Sequence, residues 1–224
     1  MNNYEKKALI DEFLTFMEQK EQAIRNEPLR VERFMNISEN AESIRFCKKG
    51  FRVGDVISFT LATGEEVSAM AMRQDEDGML FVFVDCLKDD QPMNPTNTND
   101  GGYDGCALRK KLNTEILDTF PAHIKLRMQP VYKDGDLLRL LTEGEVFGKN
   151  EYGEPDGDAQ LEPMKRRKNR IAFQGKGTDE WEWYWLQNKR KGSAAHFARV
   201  YYNGYANYYD ASNSLGVRPA FKIK

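Results

Sequence analysis

The chain has 224 residues, with 33 Lys and Arg against 35 Asp and Glu and a formal net charge of −2. A chain of this length buries roughly 70% of its unfolded surface, so it needs neither disulfides nor a metal to hold together. Its charge balance supplies no global field for nucleic acid. Three cysteines, Cys47, Cys86 and Cys106, form an odd set without a C-x-x-C pair, which excludes a disulfide framework and a cysteine-rich zinc site. No apolar run approaches the ~18 residues of a membrane span, and MNNYEKKALIDEF lacks the apolar core of a secretory signal. The expectation is a protein that is cytoplasmic at synthesis, with a phage particle as the other place it could be carried.

Residues 4–25 read as an amphipathic helix, with Leu9, Phe13, Phe16, Met17 and Ile24 at three-to-four spacing. Leu29, Phe34 and Ile37 suggest a second, shorter helix. Residues 54–87 then read as a three-stranded meander, DVISFTL, VSAMAMR and MLFVFVDCL, joined by the turns ATGEE and QDEDG. The third run is apolar on both faces and is expected to be the central strand.

Residues 88–104 form a loop rich in Pro, Asn, Asp and Gly, followed by a helix over 105–119 with Leu108, Leu112, Ile116 and Leu117 on its apolar side. Thr119 is expected to cap a short helix through Met128, and DLLRLLT from Asp136 reads as a strand. Thr142 and Glu145 have the spacing of a capping box. Residues 148–180 look like a polar, basic insertion, either a functional loop or poorly ordered. WEWYWL (Trp181–Leu186) is a β-type aromatic run. AAHFARVYY, Asn203-Gly204 and YANYY read as a hairpin with a two-residue type I′ turn, and LGVRPAFKI as a closing strand. With that turn Tyr202 pairs with Tyr205, Val200 with Asn207 and Ala198 with Tyr209. Helices, meander, helices and a late β block argue for an α+β fold.

Candidate chemistry is sparse. His123 and His196 stand outside any nucleophile motif, and no phosphate loop or zinc-protease motif occurs. Glu154, Asp156 and Asp158, or Asp134 and Asp136, could offer oxygen to calcium, but the EF-hand spacing is missing. The run KRRKNR (Lys165–Arg170) holds five cations in six residues. It reads as a solvated loop, since no aromatic platform adjoins it in sequence.

The hairpin is the strongest signal. Between His196 and Ser214, 12 of 19 residues are Tyr, Asn, Ser, Asp or His, and five of the ten tyrosines lie there. This is a paratope-like composition, because a rigid tyrosine gives large contact area at low entropic cost. A tyrosine-rich structural hairpin accounts for the composition equally well.

These residues carry a resemblance. YWLQN (Tyr184–Asn188), SAAHF (Ser193–Phe197), NGYANYY (Asn203–Tyr209) and GVRPAF (Gly216–Phe221) resemble motifs of a family of bacterial and phage-associated domains common in gut bacteria. GYDGCALRKKLN (Gly102–Asn113) and LLTEGEV (Leu140–Val146) fit the same pattern, so the likeness spans about residues 50–224. The departure is Gln187-Asn188, where the family has Arg-Ser. Such domains look like relatives of the C-type lectin fold, in the branch of formylglycine-generating enzymes and retroelement variable proteins. The resemblance implies no cysteine-dependent catalysis, because no cysteine follows Cys106. It also implies that Tyr202–Asn213, rich in residues reached by mutating AAY codons, is a candidate diversified segment.

The expectation is therefore an α+β, C-type-lectin-like domain over 50–224 behind a helical segment over 1–49. It would be a non-enzymatic protein binding a carbohydrate or protein ligand, without cofactor, metal, membrane or nucleic acid. The binding residues would be Trp183, His196, Arg199, Tyr202, Tyr205, Asn207, Tyr208, Tyr209, Asp210, Ser212 and Asn213. An enzyme with carboxylates around Glu154–Asp158, or a structural assembly module, is the alternative. Val217 and Phe221 should be core and Arg218 half-buried and paired. The N-terminal apolar stripe should dock on its own chain or on a homodimer partner.

Overall fold

The computed structural model describes residues 13–20, 22, 31–33 and 50–224. Most of the two expected N-terminal helices lies outside the described residues; residues 13–20 are helical. Val31–Arg33 is not part of a helix but strand β1, antiparallel to β2 (Asp55–Thr60) with Val31 opposite Ile57. The open edge of β2 offers a ladder of hydrogen-bonding groups, and pairing there overrides the local helical pattern. The sheet therefore takes in a strand from before residue 50.

The meander is present as β2, β3 (Glu66–Asp75) and β4 (Gly78–Phe83). The second turn is tighter than expected, since Asp75 pairs with Gly78 and only Glu76 and Asp77 lie between. The closing strand β11 (Ala220–Ile223) inserts between β4 and the short β5 (Met128–Gln129), giving the order β1-β2-β3-β4-β11-β5. Every residue of β4 is buried because both faces of the sheet are covered. Phe81 and Phe83 enter a cluster with Phe59, Phe120 and Phe221 at ring separations of 5.4–6.1 Å. Leu80 and Val82 enter a second cluster with Met72, Leu141, Met164, Tyr184 and Leu186. Val217 and Phe221 are fully buried in the first cluster.

The helix expected over 105–119 is broken into a turn at Gly102–Gly105, an α segment Ala107–Lys111 and a π turn Leu112–Ile116. The wide turn holds Asn113, whose side-chain oxygen accepts from Leu137 and Leu138 N–H and whose amide donates to the Leu138 carbonyl. Leu108, Leu112 and Ile116 are buried as expected. Thr119 is not the next cap: Pro121 occupies that position for helix Ala122–Lys125, and the Thr119 hydroxyl donates back to Ile116. DLLRLLT forms a single bridge, Arg139 to Ala220, rather than a strand. Its alternate residues serve other ends, with the Leu140 N–H bonded to the buried Tyr103 hydroxyl.

The capping box at Thr142 and Glu145 is present on helix Glu143–Phe147. Glu145 also takes a bidentate pair from buried Arg139, both contacts at 2.6 Å. The stretch 148–180 has defined structure. It packs Leu161 and Met164 into the second core cluster, makes 3-10 turns at Glu162–Lys165 and Arg167–Arg170, and pairs β6 (Ala172–Phe173) with β7 (Trp181–Glu182). Scattered apolar residues without a period anchor it, which is why composition reads it as a loop.

The smaller sheet is β10 (Ala206–Asp210), β9 (His196–Val200) and β8 (Tyr184–Lys189). Its register differs by one residue from the two-residue-turn expectation: Val200 faces Ala206, Arg199 faces Asn207, and Ala198 faces Tyr208. The Tyr201 N–H donates to the Tyr205 carbonyl and Gly204 N–H to the Tyr201 carbonyl, so the loop is Tyr202-Asn203-Gly204. Gly204 holds φ +80°, the left-handed position of a three-residue loop. A one-residue slip exchanges the faces of a strand. Arg199 and Tyr209 therefore share the face that also carries Phe197, and Tyr208 shares the other with His196.

Candidate functional site

Beyond residue 50, the exposed large apolar side chains are Val53, Trp181, Tyr202 and Tyr205. Three of these four are aromatic and lie at the open end of the smaller sheet. Trp181, 55% exposed, leans on Phe173, and Tyr202, 40% exposed, rests on Tyr201 with centroids 4.3 Å apart. Tyr201 stacks on Trp183 at 5.3 Å and 19°. These rings border an open depression of about 580 Å³ lined by Asp90, Trp181, Glu182, Trp183, Tyr202, Ser214 and Leu215.

The floor is fixed by the closing motif. Gly216 N–H donates to the Trp183 carbonyl, and a Cβ on Gly216 would lie 2.6 Å from both Cys86 Sγ and Glu182 Cγ. Only glycine lets the chain pass there. Arg218, expected to be half-buried, is 3% exposed and donates to the Phe83 and Asn169 carbonyls and to the Tyr184 hydroxyl. It ties the closing segment to β4, β8 and the 148–180 stretch. Partners on three elements enclose it more fully than a strand position suggests.

Two carboxyl groups meet in the depression. Burial pushes both Asp90 and Glu182 above the ordinary carboxyl range; the charge of Asp89 adds to the first, and those of Asp90 and Glu180 add to the second. Glu182 accepts the Trp183 N–H at 2.7 Å, while Asp90 Oδ1 is covered and has no hydrogen-bond partner among the described residues. They supply directional acceptors beside three aromatic rings.

Behind the rings lies Arg199, 5% exposed, with its guanidinium carbon 4.3 Å from the Trp183 ring, 4.2 Å from Tyr209 and 5.4 Å from Tyr201. Its Nε and Nη1 have no hydrogen-bond partner among the described residues, and burial lowers its pKa. Arg199 acts here as a prop for the aromatic wall rather than as a surface contact.

The other expected binding residues divide. Tyr205 is exposed at the loop tip, and its hydroxyl accepts from Arg167 at 3.1 Å. Asn207, Tyr209 and Asn213 are half-buried and Ser212 is exposed. Tyr208 points away from the depression, packing on His196, Tyr152 and Arg190. His196 is held between Ser193 Oγ on Nδ1 and Asp210 Oδ1 on Nε2, the latter at 3.0 Å, while Asp210 also accepts from Asn97. The two sets lie on opposite faces of the sheet. Asp90, Trp181, Glu182 and Ser214 escaped sequence reasoning because they come from separate segments brought together by the Gln91–Leu215 bridge and the passage at Gly216.

The acidic stretches offered for calcium or catalysis are used internally. Asp134 and Asp136 bind Arg109 at 2.8 and 2.6 Å. Asp156 accepts from Gly144 N–H, Asn150, Asn188 and Asp158 N–H; burial alone would raise it, yet these bonds bring it below the ordinary range. Asp158 accepts the Thr142 hydroxyl. Asn188 completes this lock by accepting the Glu143 N–H, and Gln187 donates to the Leu140 carbonyl at 2.6 Å. The Gln-Asn pair therefore joins β8 to the start of helix Glu143–Phe147.

Among the described residues no group of three or more His, Cys, Asp and Glu could hold a metal, and no helix is long and apolar enough to cross a membrane. No curated protein and no solved structure matches the chain. The model of a family described as a domain of unknown function, DUF6273, matches residues 77–224, from the β3–β4 turn to the last residue. With two thirds of its length so matched, the chain belongs to the DUF6273 family.

Proposed function

We propose that the protein is a non-enzymatic binding protein whose ligand, a carbohydrate or a protein, lies across Trp181, Trp183, Tyr202 and Tyr205 and into the depression beside them. The observation that carries this reading is the concentration of exposed aromatic surface at one end of the smaller sheet, above buried polar atoms of Asp90 and Arg199 that have no hydrogen-bond partner among the described residues. Aromatic faces stack on sugars or protein side chains, and Asp90, Glu182 and Ser214 accept or donate directional hydrogen bonds. The finer fold reading is a C-type-lectin-like scaffold. Its support is a second small sheet that carries the Tyr/Asn-rich loop, followed by a closing strand in the main sheet. Within that reading, the exposed side chains of Tyr202–Asn213, Tyr202, Tyr205 and Ser212, are the positions at which ligand specificity is exchanged, while β10 and buried Ala211 in the same segment hold the scaffold.

The test is a glycan array and a displayed-peptide panel probed with the wild type and with Trp181→Ala/Tyr202→Ala. Both side chains are exposed, so the variant should fold normally. Binders are expected to lose affinity at least about tenfold, roughly 1.4 kcal/mol. Unchanged binding by the variant contradicts the assignment.

A second reading, an acyl hydrolase, has one observation in its favour: the Ser193–His196–Asp210 chain of contacts. Against it, Ser193 Oγ already accepts the Ala195 N–H, and none of the three residues lines the depression beside the aromatic rings. Turnover of an activated ester that disappears in Ser193→Ala would revive it.

A further inference from the structure

The basic run Lys165–Arg170 is distant in sequence from the Tyr202–Gly204 loop, with Arg170 and Gly204 34 residues apart, yet the fold sets it against the tip of that loop. The Arg167 guanidinium lies 5.4 Å from the Tyr205 ring centre and donates to its hydroxyl. Arg170 Nε donates to the Gly204 carbonyl at 3.0 Å, and its guanidinium lies 5.4 Å from the Phe147 ring. A Cβ on Gly204 would sit 3.2 Å from Arg167.

The charges of this run are also unneutralised. Lys165 pairs with Glu162 at 2.6 Å, but Arg166, Arg167, Lys168 and Arg170 have no carboxylate within ion-pair distance among the described residues. Burial and the neighbouring charge of Arg167 lower the pKa of Arg170. In a chain with 35 acidic residues, four neighbouring cations without a carboxylate partner among the described residues make a local surface suited to an anion.

The surface has two unlike ends. At Tyr205 it is cationic; across the same loop, at Tyr202, it opens into the depression that holds Asp90 and Glu182. A sugar chain brings hydroxyls there, which carboxyl groups accept well, and an acidic substituent to the other end. We infer that the ligand is an acidic polysaccharide: a sugar ring stacks beside Trp181, Trp183 and Tyr202, and its carboxylate or sulfate oxygens meet Arg166, Arg167 and Lys168. This rests on the binding reading above and names its ligand class.

The test is affinity electrophoresis of the whole protein through gels containing polygalacturonate, heparin or dextran, with single-stranded oligothymidylate as competitor. Polygalacturonate carries carboxylates alone and heparin carries sulfates as well, so the pair identifies the acidic group. Retention by one of them should exceed that by dextran, weaken with added salt, and fall about tenfold in Arg166→Ala/Arg167→Ala/Lys168→Ala. These side chains are exposed, and an unchanged melting temperature verifies the fold. Arg170, which holds the loop, is left in place. Weak dextran retention sensitive to Trp181→Ala/Tyr202→Ala should survive in the triple variant.

If that dextran retention is present but neither acidic polymer is preferred, or if the triple variant keeps its preference, the acidic-ligand inference falls and the aromatic site stands. Displacement by oligothymidylate at lower concentration than by either acidic polymer overturns it in favour of nucleic acid. Retention by no polymer overturns both this inference and the carbohydrate arm of the parent reading.

Discussion

The guanidinium of Arg199 sits 4.3 Å from the ring of Trp183, nine-tenths buried and without a carboxylate beside it among the described residues. Trp183, Tyr201 and Tyr209 replace the missing counter-ion with the negative faces of their rings. The planar cation in turn keeps those rings upright, and Tyr201 carries exposed Tyr202 on its outer side.

Arg199→Lys should destabilise the protein by about 1–2 kcal/mol, because a compact ammonium cannot lie flat against three rings and is more strongly hydrated. Arg199→Met, which removes the unpaired donors and keeps a flexible apolar stem, should cost less. Urea denaturation gives the order. A lysine variant as stable as the wild type would show that the rings do not depend on the guanidinium.

Glu145→Ala should cost about 3–5 kcal/mol, since it leaves Arg139 charged and buried and opens the capping box at Thr142. Thermal or urea unfolding measures this. A loss below about 1 kcal/mol would mean that Arg139 finds water or another partner, contrary to the enclosed pair.

Glu182 and Asp90 fix a pH dependence. Their folded pKa values lie above the unfolded ones, chiefly through burial. A group raised in this way binds its proton more tightly in the fold, so its stabilising effect is complete below the unfolded pKa and is lost as pH rises through the folded one. Their contribution should therefore decline upward from the ordinary carboxyl range. Glu182→Gln, which retains an oxygen for the Trp183 N–H, should melt higher than the wild type at neutral pH and equally at acid pH. A constant difference across the range would contradict this.

Residues 13–20 present Phe13, Leu14, Phe16 and Met17 at exposures of 47–60%. Such a face is unfavourable in water, and a homodimer formed through it is the proposal that removes it. Deleting residues 1–27 spares β1 and should convert a concentration-dependent dimer to a monomer in sedimentation. A deletion variant with unchanged oligomeric state would rule out that dimer.

The meander, the apolar face of Leu108, Leu112 and Ile116, the capping box and the last four residues of the closing strand were legible because each rests on a local period or spacing. The strand is shorter than the expected LGVRPAFKI, since Leu215 and Gly216 make only isolated bridges and 217–219 are irregular. The hairpin was legible as a hairpin but not in register. Asn203-Gly204 permits both a two-residue and a three-residue loop, and the choice depends on which face must carry Phe197 into the core. Strand β1 and the Arg139 bridge depend on distant edges, and the run 148–180 on isolated anchors such as Leu161 and Met164, none of which leaves a periodic trace. For the site, Trp183, Tyr202 and Tyr205 were legible from composition. Asp90, Trp181, Glu182 and Ser214 were not, because their proximity follows from the passage at Gly216. The contact of Arg167 with Tyr205 was not legible for the same reason, as the two lie 38 residues apart; Lys165–Lys168 of the run are exposed, as expected.

The central claim is that ligand lies on the aromatic end of the smaller sheet. Hydroxyl-radical footprinting of the whole protein, with and without the best-retained of polygalacturonate, heparin and dextran, tests it most directly. The account predicts protection of Trp181, Trp183, Tyr202 and Tyr205, with Tyr132 and Tyr152 unchanged. Protection centred on Phe13 and Phe16 or on Tyr152, with Trp181 and Tyr202 still oxidised at the free rate, would contradict it.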